Sequence, residues 1–105
     1  MLSSIPIIEG SRNFRFPYIF DGEERLVGLR YNTRMKRWIF SLAFPNGEPI
    51  IAGIPVVTGV DLFIPFRAWE VPRGSLIVIN TIDPNGDVGP DDLGTTCKLM
   101  YEDYT

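Results

Sequence analysis

The sequence predicts an all-β domain, a small antiparallel β-barrel or β-sandwich of six to eight short strands. Apolar and polar residues alternate along several stretches, which is the two-residue period of a strand with one buried face. Turn-forming pairs such as Asp21-Gly22 and Asn46-Gly47 separate these stretches. No stretch of ten or more residues shows the 3.6-residue period of an amphipathic helix. Because an aromatic sheet face needs a second layer to cover it, a barrel or sandwich is expected.

Length and composition place the chain among single-domain globular proteins. It has 105 residues, of which 45% are hydrophobic and 22% charged, so it can bury one core and is not expected to be disordered. The net charge of −3 argues against a general affinity for nucleic acid. The basic cluster Arg34, Lys36 and Arg37 is interpreted as a solvated hairpin tip. No apolar run is long enough to span a membrane and no secretory signal is apparent, so synthesis in the cytoplasm is expected.

The N-terminal segment is interpreted as an arm, residues 1–13, ahead of a single β domain, residues 14–105. Its apolar residues Ile5, Ile7 and Ile8 need a surface to cover them, because isolated termini are usually loose. Two alternatives are open: the arm packs along a sheet edge, or it lies against a neighbouring subunit.

An antiparallel meander is predicted to nucleate the core. Its first strand, Phe14–Phe20, contains Pro17, which cannot donate to a ladder and therefore indicates an edge strand. Asp21-Gly22 predicts a two-residue hairpin turn into a second strand, Glu23–Asn32. The third strand, Arg37–Phe44, places four apolar residues on one face: Trp38, Phe40, Leu42 and Phe44.

The second half of the chain predicts three more strands. Glu48–Val57 is interrupted by Gly53 and Pro55, so a bulge or bend is expected within it. Leu76–Ile79 is continuously apolar, which is typical of a strand buried on both faces. Thr96–Tyr101 alternates, with its apolar side chains on one face.

No catalytic, metal or cofactor site is predicted. The acidic residues Asp83, Asp87, Asp91 and Asp92 lack the spacing of a twelve-residue calcium loop, and turn formation explains them more simply than cation binding. Histidine is absent, which removes the usual general base of hydrolase triads. Cys97 is alone, and a buried lone cysteine behaves as a small hydrophobe.

The proline-flanked loop containing Arg67 and Trp69 is a candidate contact surface. Arginine and tryptophan are both enriched where binding energy concentrates. An aromatic residue folded over the mouth of a barrel explains Trp69 equally well.

Four segments in order resemble one protein family. They are Tyr31–Trp38, Phe44–Gly53, Pro72–Val78 and Asp91–Thr95. Their order is similar to that of the small baseplate plug proteins of contractile-tailed bacteriophages, as in a cyanophage, and the likeness spans almost the whole chain.

The resemblance implies a structural virion protein without catalysis, located in the baseplate hub, where it closes the lumen of the tail tube. We expect a homo-oligomeric ring that contacts hub, tube and spike proteins, and an isolated chain that self-associates or leaves its N-terminal arm loose. Two other readings stay open: a β-barrel module that binds a glycan or peptide on Trp69, and an enzyme that uses the acidic loop. The expected partner-contact residues are Ile5, Ile7, Ile8, Arg67 and Trp69.

Overall fold

The computed structural model describes residues 2–7, 12–63, 71–83 and 86–102 of the chain. Within these residues it contains seven strands and no helix, which confirms the predicted all-β class. No helix there is long or apolar enough to cross a membrane. The strands are β1 (Leu2–Ile5), β2 (Asn13–Phe20), β3 (Glu23–Asn32), β4 (Arg37–Ala43), β5 (Pro49–Pro55), β6 (Ser75–Asn80) and β7 (Cys97–Glu102).

The strands form two antiparallel sheets that do not close into a barrel. One sheet has four strands in the order β2-β3-β4-β5, and the other has three in the order β1-β7-β6. The four-stranded sheet is the predicted three-stranded meander extended by the next predicted strand, with all four strands in chain order. β2 lies at its edge, as the proline at position 17 indicated.

Local backbone geometry explains the first turn of the meander and the bulge in its last strand. Asp21 and Gly22 both have positive φ, 52° and 86°, the backbone of a two-residue hairpin turn whose twist matches the flanking strands. The extra residue in β5 lies where it was expected, because Phe40 pairs with Ile54 while Leu42 pairs with Ile51. Gly53, with φ of 71°, lies in this bulge.

The core fills the space between the two sheets. The inward faces of β3 and β4 contribute side chains that are at most 2% exposed, as the alternation predicted, while Phe44 beyond β4 is half-buried. The three-stranded sheet contributes its own alternating face from β6 and β7. Phe20 joins the layers, with its ring edge-on to Phe63 and Tyr101 at centroid distances of 6.1 and 4.9 Å.

A hydrogen-bonded tie holds the two sheets together at the β2–β3 turn. The Tyr101 hydroxyl donates to Asp21 Oδ2 at 2.6 Å and accepts from the Gly74 amide at 3.0 Å. It therefore links the hairpin turn of one sheet to the end of β7 in the other.

The structure corrects the prediction for Leu76–Ile79. Leu76 and Val78 are fully buried, whereas Ile79 is 39% exposed. This strand therefore buries one face. The prediction was wrong because a continuous apolar run does not reveal whether a second layer covers both sides of a strand.

Candidate functional site

Of the two alternatives for the N-terminal arm, the structure shows packing along a sheet edge. β1 pairs with β7, with Ile5 opposite Leu99. Ile5 is 2% exposed in the chain's own core, and Ile7 is half-buried against that core. The apolar character of Ile5 and Ile7 is therefore explained within one chain and no longer argues for a partner. Ile8, Arg67 and Trp69 lie outside the described residues, so their role as contact residues stays a prediction.

The acidic segment after β6 forms a set of structural turns beside Trp38. The Trp38 indole Nε1 donates to the Gly89 carbonyl oxygen at 2.9 Å, and the Gly89 amide donates to Asp92 Oδ2 at 2.8 Å. Asp91 forms an ion pair with Arg12 at 3.1 Å. Two of the acidic side chains are thus engaged with protein donors. The bond to Asp92 is the local turn chemistry that was predicted, whereas the ion pair of Asp91 joins residues 79 positions apart. Among the described residues, no three acidic, cysteine or histidine side chains converge to hold a metal ion.

Cys97 lies at the start of β7 with no exposed surface. Burial raises the pKa of its thiol above the ordinary value of 9.0, and Asp92 raises the pKa further, while a hydrogen bond with Thr96 lowers it. The thiolate is the nucleophilic form of cysteine, so a buried thiol with a raised pKa is poorly suited to attack a substrate.

We expect Cys97 to resist a thiol reagent at pH 8 in the folded protein and to react once denaturant is added.

Because the pKa of Cys97 is raised in the folded state, the unfolded chain loses the thiol proton first as pH rises. Stability should therefore fall above pH 9 by up to about 1.4 kcal/mol per pH unit. Denaturant unfolding of the wild type and of Cys97→Ala at pH 8 and pH 10 measures this. An equal loss in both proteins would contradict it.

The outer face of the four-stranded sheet carries a shallow depression of about 340 Å³. Its floor is made by small residues, among them Gly28, Ser41 and Ala52, and Arg15 and Arg30 flank it. A side chain at position 28 would collide with the Ser41 hydroxyl, so glycine keeps this floor open. A glycan platform would need an exposed aromatic ring, and the residue predicted for that purpose, Trp69, lies outside the described part of the chain.

Charged side chains separate toward the two ends of the four-stranded sheet. In a meander, alternate turns lie at opposite ends, so the β3–β4 turn is opposite the β2–β3 and β4–β5 turns. We call the first group the basic turn: Arg30, Arg34, Lys36 and Arg37. We call the second group the acidic rim: Glu24, Glu48 and Glu102. The hydrogen bond from Tyr101 to Asp21 brings the end of β7, and with it Glu102, to the acidic end. The basic cluster was apparent in the sequence, whereas this polarity was not predicted, although the order of the turns could have revealed it.

A comparison with known families assigns a biological setting to this fold. The family described as Cyanophage baseplate Pam3 plug gp18 matches the chain over residues 2–104. The chain belongs to this family. No curated protein matches the chain.

Membership in the baseplate plug family makes the chain a structural protein of the phage virion, located in the baseplate. The resemblance expected from the four sequence segments is thereby confirmed. The family also implies interaction with other baseplate components. The surfaces of this chain are accordingly candidates for protein–protein contact.

Proposed function

We propose that the chain closes the lumen of the tail tube at the baseplate hub, held there by contacts with hub, tube and spike proteins. The observation that carries this proposal is the family match over residues 2–104. The dimensions of the described domain, 30 × 27 × 23 Å, support it, since one core shared by two sheets makes a compact body. Close-packed protein interiors have low compressibility and transmit strain, which a plug requires.

The chain acts through assembly and not through catalysis. Its single thiol is buried, with a raised pKa. Asp91 and Asp92 are bound to Arg12 and to the Gly89 amide, and the resulting turns hold Trp38. These side chains have structural roles, which explain their presence without a substrate.

Several copies form a ring around the tail axis. Repeated contacts between two different surfaces of one chain close into a ring when the rotation between copies permits it. Because Ile5 is buried within its own chain, the contacts between copies fall on other surfaces.

The experiment uses phage whose gene for this chain carries an early stop codon, complemented by a plasmid copy of the wild-type gene. We expect particles assembled without the chain to lack density on the tail axis at the hub and to release DNA before contact with a host. Cryo-electron microscopy and a nuclease-protection assay of packaged DNA measure the two effects. Complemented particles provide the control.

A tagged chain locates the plug independently of whether the deletion blocks tail assembly. The label is expected on the tail axis in complemented particles. A label on the outside of the baseplate, or unchanged axial density and DNA retention without the chain, would overturn the plug function.

A further inference from the structure

We propose that copies of this chain associate head to tail, with the basic turn of one copy docked against the acidic rim of the next. This inference rests on the proposed ring and identifies the two surfaces that meet in it. The occupant of the basic turn is therefore a second copy of the same chain.

The charges at both ends lack partners within the described part of the chain. The ion pairs found there join Arg12 to Asp91 and Arg25 to Glu23, and neither involves the basic turn or the acidic rim. All members of the basic turn and of the acidic rim are exposed. Unpaired like charges on neighbouring strands repel one another, so each group is stabilised when opposite charge approaches.

The acidic segment after β6 offsets the basic turn only in part. It lies at the same end of the molecule, where Asp91 is paired with Arg12, while Asp92 accepts from the neutral Gly89 amide and keeps its charge. Asp83 and Asp87 are exposed there. With Arg12 counted, five cations lie at this end against the four carboxylates of the segment, so the basic turn keeps an excess of positive charge.

The two groups cannot neutralise each other within one copy. Glu24 lies at one end of β3 and Arg34 just beyond the other, which separates them by roughly 30 Å at the rise of an extended strand. Screening at physiological salt acts over about 8 Å, so the intramolecular attraction is lost. Contact between two copies brings the same groups within ion-pair distance.

Exposed apolar side chains also lie among the charges at each end. Met35, at the tip of the basic turn, is 54% exposed beside a depression of about 150 Å³ whose lining includes Trp38 and Val56. Ile19 is 63% exposed and pairs in register with Glu24 of the acidic rim. An apolar centre within a charged margin is the usual composition of a specific protein contact. Charge complementarity sets the orientation of such a contact.

A symmetric dimer formed through one end of the molecule does not fit this charge distribution. In a two-fold contact confined to one end, that surface meets its own copy, so basic turn would face basic turn. An end-to-end contact pairs opposite charges only when the two surfaces differ. Such head-to-tail contacts build a ring when the rotation between copies closes it.

The test measures self-association of the full-length chain by sedimentation velocity over a range of protein and salt concentrations. The basic-turn variant is Arg34→Glu with Arg37→Glu, and the acidic-rim variant is Glu24→Lys with Glu48→Lys. We expect wild-type association to weaken as salt increases. Each variant alone should weaken association about tenfold or more, because attractive contacts become repulsive. Lys98→Glu, a charge reversal on exposed β7 surface outside both groups, is the control and should associate as the wild type does.

Mixing the two variants tests whether the basic turn and the acidic rim contact each other. A head-to-tail contact pairs the reversed basic turn with the reversed acidic rim, and each unreversed end finds its unreversed partner, so the mixture should regain association. Wild-type protein that stays monomeric, salt-independent association, or no recovery in the mixture would overturn the proposal. Binding of a DNA duplex by the monomeric wild type, lost in the basic-turn variant, would instead assign the basic turn to phosphate. A monomer that still closes the lumen in particles would overturn this contact alone and leave the plug function standing.

Discussion

Replacing Trp38 with alanine is expected to lower the free energy of unfolding by about 3 to 5 kcal/mol, the range for large aromatic residues truncated in a core. Trp38 is 2% exposed, and its ring lies edge-on to Phe14 and Tyr31 at centroid distances of 5.9 and 5.7 Å. Its indole nitrogen also donates to the Gly89 carbonyl oxygen. The substitution therefore opens a cavity and releases the turns after β6 together. Urea denaturation followed by circular dichroism measures the change.

One further variant separates the contributions of Trp38, and another is a control. Trp38→Phe keeps most of the apolar contact but removes the donor to Gly89. It should therefore lower the free energy of unfolding by less than Trp38→Ala does, because most of the packing contribution is kept. Met35→Ala, in the exposed turn before β4, should change stability by less than about 0.5 kcal/mol. If Trp38→Ala proves as mild as Met35→Ala, the residue is not the core anchor described above.

Replacing Asp61 with alanine is expected to cost about 2 to 4 kcal/mol, because two buried amides lose their acceptor. Asp61 Oδ1 accepts from the Phe63 amide at 3.0 Å and from the Leu76 amide at 3.1 Å. Asp61 is 9% exposed and is the one charged residue that is buried in the described part of the chain. It joins the segment after β5 to the start of β6. Thermal and urea unfolding of the variant measure the loss.

Asp61→Asn is the matched control, since its side-chain carbonyl oxygen can accept both hydrogen bonds in the same position. Its stability should lie between those of the wild type and Asp61→Ala. An asparagine variant as unstable as the alanine variant would show that the negative charge, and not the acceptor, is what matters at this position.

The strands of the meander could be predicted because their signals are local. Alternation along β3 and β4 follows from the two-residue period of an extended chain, and the Asp21-Gly22 turn follows from the positive φ that these residues tolerate. Pro17 marked β2 as an edge by removing a donor. Each of these inferences uses residues that are neighbours along the chain.

Prediction of the candidate site was less complete. Three of the five contact residues inferred from sequence were isoleucines of the arm, yet Ile5 proved to belong to the core once β1 paired with β7. Apolar character predicts that a residue is buried, but it does not show whether its own chain or a neighbouring chain buries it. Asp61 gave no signal beyond an acidic residue before an apolar pair, because its role depends on an amide 15 positions later.

The sequence by itself determined the strands of the meander, their order and the face that each of them buries, since these depend on backbone period and turn geometry. Only the tertiary structure decided how the two sheets are joined: β1 against β7, Tyr101 onto Asp21 across 80 positions, and Trp38 onto Gly89 across 51. Contacts between residues so far apart in the chain have no local pattern. They exist because closing the core leaves polar groups that must find partners at the places where the layers meet.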